Sequence, residues 1–444
     1  MNELFAEFQS YLRKFLPVRY VRQLVQSENN IRKLITATAD GDVVLCKQLL
    51  VDVSVIMASD ARTGIQRVVR ALLVQLLNHD VIGYCVKPVY ATRKHGYRYA
   101  PENFCGLSDG TAQKSDCSKA DSIVQVGPGD IFLGLDLAAH LLPLHSADLA
   151  KWKNLGVEIH VVVYDLLPVL SPQWFNVKTT RNFTRWIKTI AIYADSIVCI
   201  SDAAKSEVNV WLQQKYGLVL GELPINVIPL GADLLLSAPS YGLPDNSDGL
   251  MMMLAEKPFV LMVGTLEPRK GHAQIVEIFN QLWLQSVDVR LVIVGKSGWK
   301  TEDLQDQLKH HPFVDSMLFW LDNVTDEFLG VLYKACNGVL LASKAEGFGL
   351  PLIEAMHYKK PVLARDIPVF REVGKDNVDY FSDQNDTDCM NDVNRWLSRI
   401  SLGKEVAYRN LPSWQDSLYV LLHYLGLGAK SGDITSVAIE VLVK

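Results

Sequence analysis

Residues 259–272 read Phe-Val-Leu-Met-Val-Gly-Thr-Leu-Glu-Pro-Arg-Lys-Gly-His: an apolar run of strand length, a glycine, then a basic pair before a helix-period segment. A short, continuously apolar strand that leads through a loop into a helix is the unit of a parallel sheet buried on both faces. The unit recurs. Downstream it gives strands at Val289 to Gly295, Met317 to Leu321, Val339 to Ala342 and Val362 to Ala364. Upstream it gives Leu50 to Met57 as a strand and Ile65 to Asn78 as a helix, with further strands at Ile131 to Gly134, Val157 to Tyr164 and Ser196 to Ile200. Between the two series, Pro239, Ser240, Gly242, Pro244, Asp245, Asn246, Ser247 and Gly249 have the composition of a linker. The expected fold class is α/β, with two doubly wound Rossmann-like domains in tandem. Their expected bounds are 49–240 and 241–410, after an N-terminal amphipathic helical extension at 1–48 and before a C-terminal helix and tail at 411–444. The segment 92–122, rich in Ser, Asp, Lys, Gly and Cys, reads as an irregular excursion of no evident role.

A chain of 444 residues exceeds one ordinary hydrophobic core, which agrees with two domains. Its formal charge of −5 lacks the basic footprint of a nucleic-acid-binding protein, so no such partner is expected. The seven cysteines are scattered without a Cys-x-x-Cys pair and read as reduced thiols, with no metal site expected. No secretory signal is read, and no apolar run approaches the ~18 residues of a spanning helix. The expected location is cytoplasmic, with any membrane attachment peripheral.

Residues 1–35 offer two readings. Phe5, Phe8, Leu12, Phe15 and Leu16 recur at helical spacing, Tyr20, Leu24 and Val25 follow Pro17, and basic residues outnumber acidic ones. Such a segment either lies on an anionic lipid surface or packs its apolar face on its own domain, and packing is the commoner outcome.

In open parallel sheets ligands bind at the carboxyl ends of the strands, so the loops there are the candidates. After Phe259 to Gly264 the loop carries Arg269 and Lys270 at the start of a helix, where backbone N–H groups and cationic side chains favour phosphate. A solvated basic turn fits that loop equally well taken alone. Gly295-Lys-Ser-Gly-Trp299 follows a second strand and reads as a plain turn first, a nucleotide base or ribose contact second. The third loop is Glu346-Gly-Phe-Gly-Leu-Pro-Leu-Ile-Glu354. Pro351 suits the first turn of a helix, which puts Glu346 on the loop and Glu354 in that first turn. Gly347 and Gly349 permit close backbone approach to a hydroxyl or phosphate oxygen, and carboxylates accept from paired hydroxyls. A tight turn and a dipole-stabilised glutamate are the structural alternatives.

The two stretches Gly264-Thr-Leu-Glu-Pro-Arg-Lys-Gly271 and Glu346 to Glu354 together resemble the GT-B glycosyltransferase family 4, over roughly residues 50 to 425. The resemblance implies a retaining transferase that uses a nucleotide sugar. It implies that Arg269 and Lys270 hold the donor diphosphate, Glu346 contacts the transferred sugar, Glu354 holds the ribose, and Gly347, Phe348, Gly349 and Leu350 line the donor site. Thr63-Gly-Ile-Gln-Arg-Val68 resembles the family's N-terminal glycine loop, which makes Gly64 a donor contact. Val161-Val-Val-Tyr-Asp-Leu-Leu-Pro168 resembles a stretch written His-Asp-Leu-Ile-Pro in mannosyltransferases of bacterial polysaccharide assembly. Here Tyr164 replaces the His, and Asp165 remains as the polar group toward the cleft. Ser201-Asp202 fits a helix N-cap, and the stretch from Ser413 resembles the family's late helix that returns to the first domain, with Trp414 as a packing anchor.

The implied candidate catalytic residues are thus Glu346, Asp165, Arg269 and Lys270. The implied donor is GDP-mannose ahead of other nucleotide sugars. The implied acceptor is a glycan or lipid-linked glycan in surface polysaccharide (O-antigen) synthesis. Two other classes stay open: a nucleotide-sugar epimerase of the same architecture, and a non-catalytic scaffold that binds sugar nucleotides.

Overall fold

The computed structural model describes residues 16–36, 46–101, 104, 121–233, 239–382, 385–400, 406–408 and 411–428. Among these, the first half contributes β1 (Lys47–Asp52), β2 (Tyr84–Tyr90), β3 (Arg98–Tyr99), β4 (Ile131–Gly134), β5 (Glu158–Val163), β6 (Ser196–Cys199) and β7 (Ile225–Val227) to one sheet, ordered β3-β2-β1-β4-β5-β6-β7. Neighbours run parallel except β2 and β3. The second half contributes β8 (Phe259–Val263), β9 (Arg290–Val294), β10 (Leu318–Leu321), β11 (Gly338–Leu341), β12 (Val362–Arg365) and β13 (Asp379–Phe381), ordered β10-β9-β8-β11-β12-β13 and parallel throughout. Strands such as Leu291 to Ile293 and Ile197 to Cys199 are fully buried because helices cover both faces, which is why they are continuously apolar. Each sheet reverses its strand order once, between β1 and β4 and between β8 and β11. Those two switch points are where ligands are received.

Some local expectations needed correction. The run Leu50 to Met57 is not one strand: β1 ends at Asp52 and Ser54–Ala58 is a short helix. Its first amides are met by carboxylates, Ser54 N on Asp52 Oδ1 at 2.9 Å and Val55 N and Ile56 N on Asp136 Oδ2 at 2.8 and 2.7 Å. Hydrophobicity continues through Val53 and Ile56, both buried, so pattern alone hides the break. Strands β2, β7 and β13 were not anticipated. β2 is half-buried and of mixed composition, and the other two have three residues each. The excursion at 92–122 opens with β3, but 102–103 and 105–120 lie outside the described residues. Among the described residues, the cysteines Cys46 and Cys85 are neighbours, their sulfurs 2.6 Å apart.

The helix Val18–Thr36 packs on the first domain rather than projecting from it. Val18, Val21 and Val25 join that domain's core, while Tyr20 and Leu24 stay exposed. Buried Arg22 donates to the Ala194 carbonyl at 2.6 Å and to Ala191 and Glu222, and Arg19 pairs with the Glu222 carboxylate at 2.8 Å. Arg19 and Arg22 therefore serve as ties to the first domain. Phe5, Phe8, Leu12 and Phe15 lie outside the described residues, and among the described residues no helix is long and apolar enough to cross a membrane.

The chain ends its described course by returning to the first domain. Ser413 caps the helix Trp414–Tyr424 in a reciprocal box with Asp416, and the helix packs on Gly64–Asn78. Trp414 is buried, donates its indole N–H to Asp233 O at 2.9 Å, and belongs to the same apolar cluster as Leu72, Val198 and Leu421. It is the packing anchor expected.

Candidate active site

Both switch points open on one cleft of about 1300 Å³ between the two sheets. On the second-domain side, Arg269 and Lys270 occupy a single 3-10 turn, Pro268–Lys270, between β8 and the helix His272–Leu284. Neither is free. Arg269 donates to Glu346 Oε2 at 2.6 Å and to Glu267 Oε2 at 2.7 Å, Lys270 pairs with Glu346 Oε1, and Ser343 donates to that same oxygen at 2.6 Å. The loops after β8 and β11 are thus locked into one network. Burial pushes the Glu346 carboxyl up, but Arg269 and Lys270 outweigh it and hold the group down at about 2. Glu346 is an ionised hydrogen-bond acceptor and not a proton donor. Burial works against the Arg269 guanidinium charge, and Glu346, Glu267 and Asp165 more than restore it. Neighbouring His272 is forced to about 3 by burial and by Lys270, so it is neutral.

The glycines between the two glutamates are required by protein packing. A side chain on Gly347 would stand 2.1 Å from the Tyr164 carbonyl oxygen, and the Gly347 carbonyl accepts from Ser201 Oγ at 2.7 Å. The close approach foreseen toward a ligand is here an approach between domains. Gly349 has φ +94°, and a Cβ there would meet the Phe370 ring at 2.5 Å. Buried Phe348 and half-buried Leu350 pack with Tyr164, Ile200 and Leu230 of the first domain. Gly64, the N-terminal residue of the helix Gly64–Asn78, faces Leu350 Cδ1 at 3.5 Å from where its Cβ would be.

Glu354 lies a full turn into the helix Leu350–His357, deeper than the first turn assigned to it. It is buried, accepts from Tyr333 OH at 2.8 Å, and is reached across the cleft by Arg67 Nη1 at 2.5 Å. The other Arg67 nitrogen meets Asp326 Oδ1 at 2.5 Å, and Asp326 is held by Ser240 N and Oγ, each at 2.8 Å. Arg67 therefore ties two carboxylates of the second domain to the first. It sits inside the quoted stretch Thr63 to Val68, but its partner is 287 residues away and no local signal announces the pair.

Tyr164 is buried and its hydroxyl donates to Leu135 O at 2.7 Å, so it replaces an imidazole with a packing group whose polar end is engaged. Asp165 lines the cleft and also accepts from Leu167 N at 2.9 Å, so it caps a turn as well. Burial raises its carboxyl while Arg269 opposes that rise. Ser201 is the N-cap of Asp202–Tyr216, whose next amides, Asp202 N and Ala203 N, donate to Glu372 of the second domain at 2.7 and 2.9 Å. The loop at Gly295 to Trp299 also meets the first domain, with the Trp299 indole N–H on Trp174 O at 2.5 Å and its ring 5.9 Å from that of Phe175. Arg67, Asp326, Tyr333, Glu267 and Glu372 were not singled out from sequence.

Residues 254–407 match the family described as Glycosyl transferases group 1. The chain is 39% identical over 384 residues to the serotype-specific mannosyltransferase WbdA of Escherichia coli, which covers 85% of this chain and 46% of that protein. It is 27% identical over 198 residues to the E. coli O-antigen chain mannosyltransferase B, covering 44% of this chain and 50% of the relative. The chain spans about half the length of these curated relatives. Among solved structures, sucrose-phosphate synthase from Thermosynechococcus elongatus superposes with a TM-score of 0.54 at 17% identity, covering 89% of this chain and 98% of that one. Anabaena HepE in complex with UDP-glucose gives 0.52 at 17% identity, covering 80% and 92%. At such identities the likeness shows the fold, and the fold is GT-B.

Proposed function

The chain belongs to the glycosyl transferases group 1 family, and from that premise we propose that it moves a hexose from a nucleotide sugar to a glycan acceptor with retention at the anomeric carbon. The observation that carries the reading is the convergence of Arg269, Lys270 and Glu346 at the β8/β11 switch point, facing Asp165 across the cleft. GDP-mannose is the first choice of donor, supported by the similarity to mannosyltransferases. The acceptor is a glycan or lipid-linked glycan of a surface polysaccharide.

In this mechanism the bond between the anomeric carbon and the diphosphate oxygen breaks while an acceptor hydroxyl bonds to the same face of that carbon. The hydroxyl proton passes to the departing phosphate oxygen. Negative charge grows on the diphosphate, and Arg269 and Lys270 stabilise it in a buried site where the low dielectric strengthens attraction between charges. Glu346, kept ionised by the same two cations, accepts hydrogen bonds from hydroxyls of the transferred sugar. Glu354 takes the ribose hydroxyls and exchanges its Arg67 contact for them as the donor seats. Double displacement on a carboxylate pair is the chemical competitor. The assignment of Glu354 to ribose takes that carboxylate out of such a pair. The two cations supply the charge a metal supplies elsewhere, so turnover should survive EDTA.

The test is a panel of nucleotide sugars screened by thermal shift, followed by release of nucleoside diphosphate with oligomannoside acceptors. GDP-mannose should raise the melting temperature most, since a ligand of the folded state alone stabilises it. Interconversion of the donor without any acceptor would mean an epimerase. Binding that never leads to release with any acceptor would mean a scaffold.

A further inference from the structure

The cleft has a second group of basic side chains, two of them cations, away from Arg269 and Lys270. Arg93 follows β2, His140 lies beyond β4, and Lys178 is in the first turn of the helix Val177–Tyr193; all three line the first-domain part of the cleft. Three separate elements thus bring basic side chains to one place, near the carboxyl ends of first-sheet strands, where that sheet receives ligands. Arg93 and Lys178 are exposed and His140 is half-buried. Burial holds the His140 imidazole below its ordinary value, and the charges acting on it, Arg93 and Lys178, are both positive. Among the described residues none of the three has an ion-pair partner. The contrast with the donor side is direct: there Glu346, Glu267, Glu354 and Asp326 are each paired with Arg269, Lys270 or Arg67.

Like charges gathered in a concave site without counter-charges repel one another, and an anion relieves that repulsion. We propose that Arg93, His140 and Lys178 form an anion subsite at the acceptor end of the cleft, and that the acceptor is a glycan bearing a phosphate or diphosphate. The proposal rests on the transferase reading above and narrows its acceptor. Arg93 supplies a planar fork for two phosphate oxygens and Lys178 a point charge, the pairing by which proteins commonly hold phosphoryl groups. The anionic group would then lie within the same cleft as the attacking hydroxyl, so transfer occurs close to the charged end of the acceptor.

The experiment is calorimetric titration of the full chain with inorganic pyrophosphate. The wild type should bind at two sites, Arg269→Ala with Lys270→Ala should keep one, and Arg93→Ala with Lys178→Ala should keep the other. Because Arg93 and Lys178 are exposed, the second double variant should melt as the wild type does. If that variant still binds at two sites, the subsite does not exist. Transfer is then compared on one oligomannoside in three forms: a neutral methyl glycoside, a glycosyl phosphate, and a diphosphate carrying a short alkyl chain. The wild type should favour a charged form by about tenfold in kcat/KM, and the Arg93/Lys178 variant should lose that preference. A gain confined to the alkyl diphosphate identifies a lipid-linked acceptor, whereas a gain shared by both charged forms identifies phosphate itself. Equal use of all three forms would overturn the proposal, while failure to use any would sink the transferase reading and leave the pyrophosphate titration to judge the subsite.

Discussion

The two walls of the cleft stand at equivalent places, the β8/β11 switch point of one sheet and the β1/β4 switch point of the other, yet their polar residues are used differently. On the second-domain wall, Arg269, Lys270, Glu346 and Glu267 are paired within the wall itself, over two loops fixed by two strands. On the first-domain wall three polar groups reach across or are engaged in packing: Arg67 ties to Glu354 and Asp326, Ser201 to Gly347, and Tyr164 turns its hydroxyl to Leu135. The second wall is preorganised before any ligand arrives. The first wall governs how closely the domains meet. Binding and chemistry are therefore assigned to one side, and closure and acceptor placement to the other.

The largest effect expected from breaking this division is at Glu346. Replacing it by Ala should lower turnover about 10²- to 10³-fold, the scale of losing one preorganised electrostatic group, with a smaller change in nucleotide affinity. Steady-state kinetics beside calorimetry separates the two; the opposite pattern would exchange the roles of Glu346 and Glu354. Next in size is Arg67→Met, which leaves Glu354 and Asp326 without their shared cation. It should cost about 3 kcal/mol in denaturant unfolding, as expected for a mostly buried pair that loses one partner. A loss below about 1 kcal/mol would put the pair in the class of surface ion pairs and remove the closure role of the first wall.

Lys270→Ala and Glu354→Ala should each weaken donor binding by about 2 kcal/mol, the scale of one charge-assisted hydrogen bond. Unchanged affinity in calorimetry would show the phosphate and ribose assignments to be misplaced. The smallest effect is on stability against pH. Glu346 is depressed in the folded protein from an ordinary 4.5 to about 2, so its contribution is fully present above pH 4.5 and fades as pH falls through 2. Melting temperature followed from pH 6 to pH 2.5 should fall less steeply in Glu346→Gln than in the wild type. Parallel curves would mean that the ion-pair network does not hold in solution.

How much of this was legible in the sequence follows the same division. The second wall is carried by contiguous stretches, since a strand, its loop and the next helix N-terminus are adjacent in a doubly wound sheet, and Arg269, Lys270, Glu346 and Glu354 were all placed in the cleft. Their mutual pairing was not legible, because it depends on β8 and β11 being neighbours although β9 and β10 intervene in the chain. On the first wall, Asp165 and Ser201 announced themselves as strand-end residues, while Arg67 reads as one more basic residue of an amphipathic helix. Gly347 and Gly349 are close approaches as expected, but whether the approaching group is a ligand or, as here, the Tyr164 carbonyl and the Phe370 ring is a question of tertiary packing. Short or mixed strands such as β2 and β13 owe their existence to the sheet beside them and carry little pattern of their own.

The most direct measurement of the central claim is the anomeric configuration of the product. The chain would be incubated with GDP-mannose and an oligomannoside acceptor, and the new linkage read from its anomeric proton and carbon couplings by NMR. The account predicts an α-mannoside, the configuration of the donor, with one nucleoside diphosphate released per bond formed. A β-linked product, or donor consumed without acceptor, would contradict it.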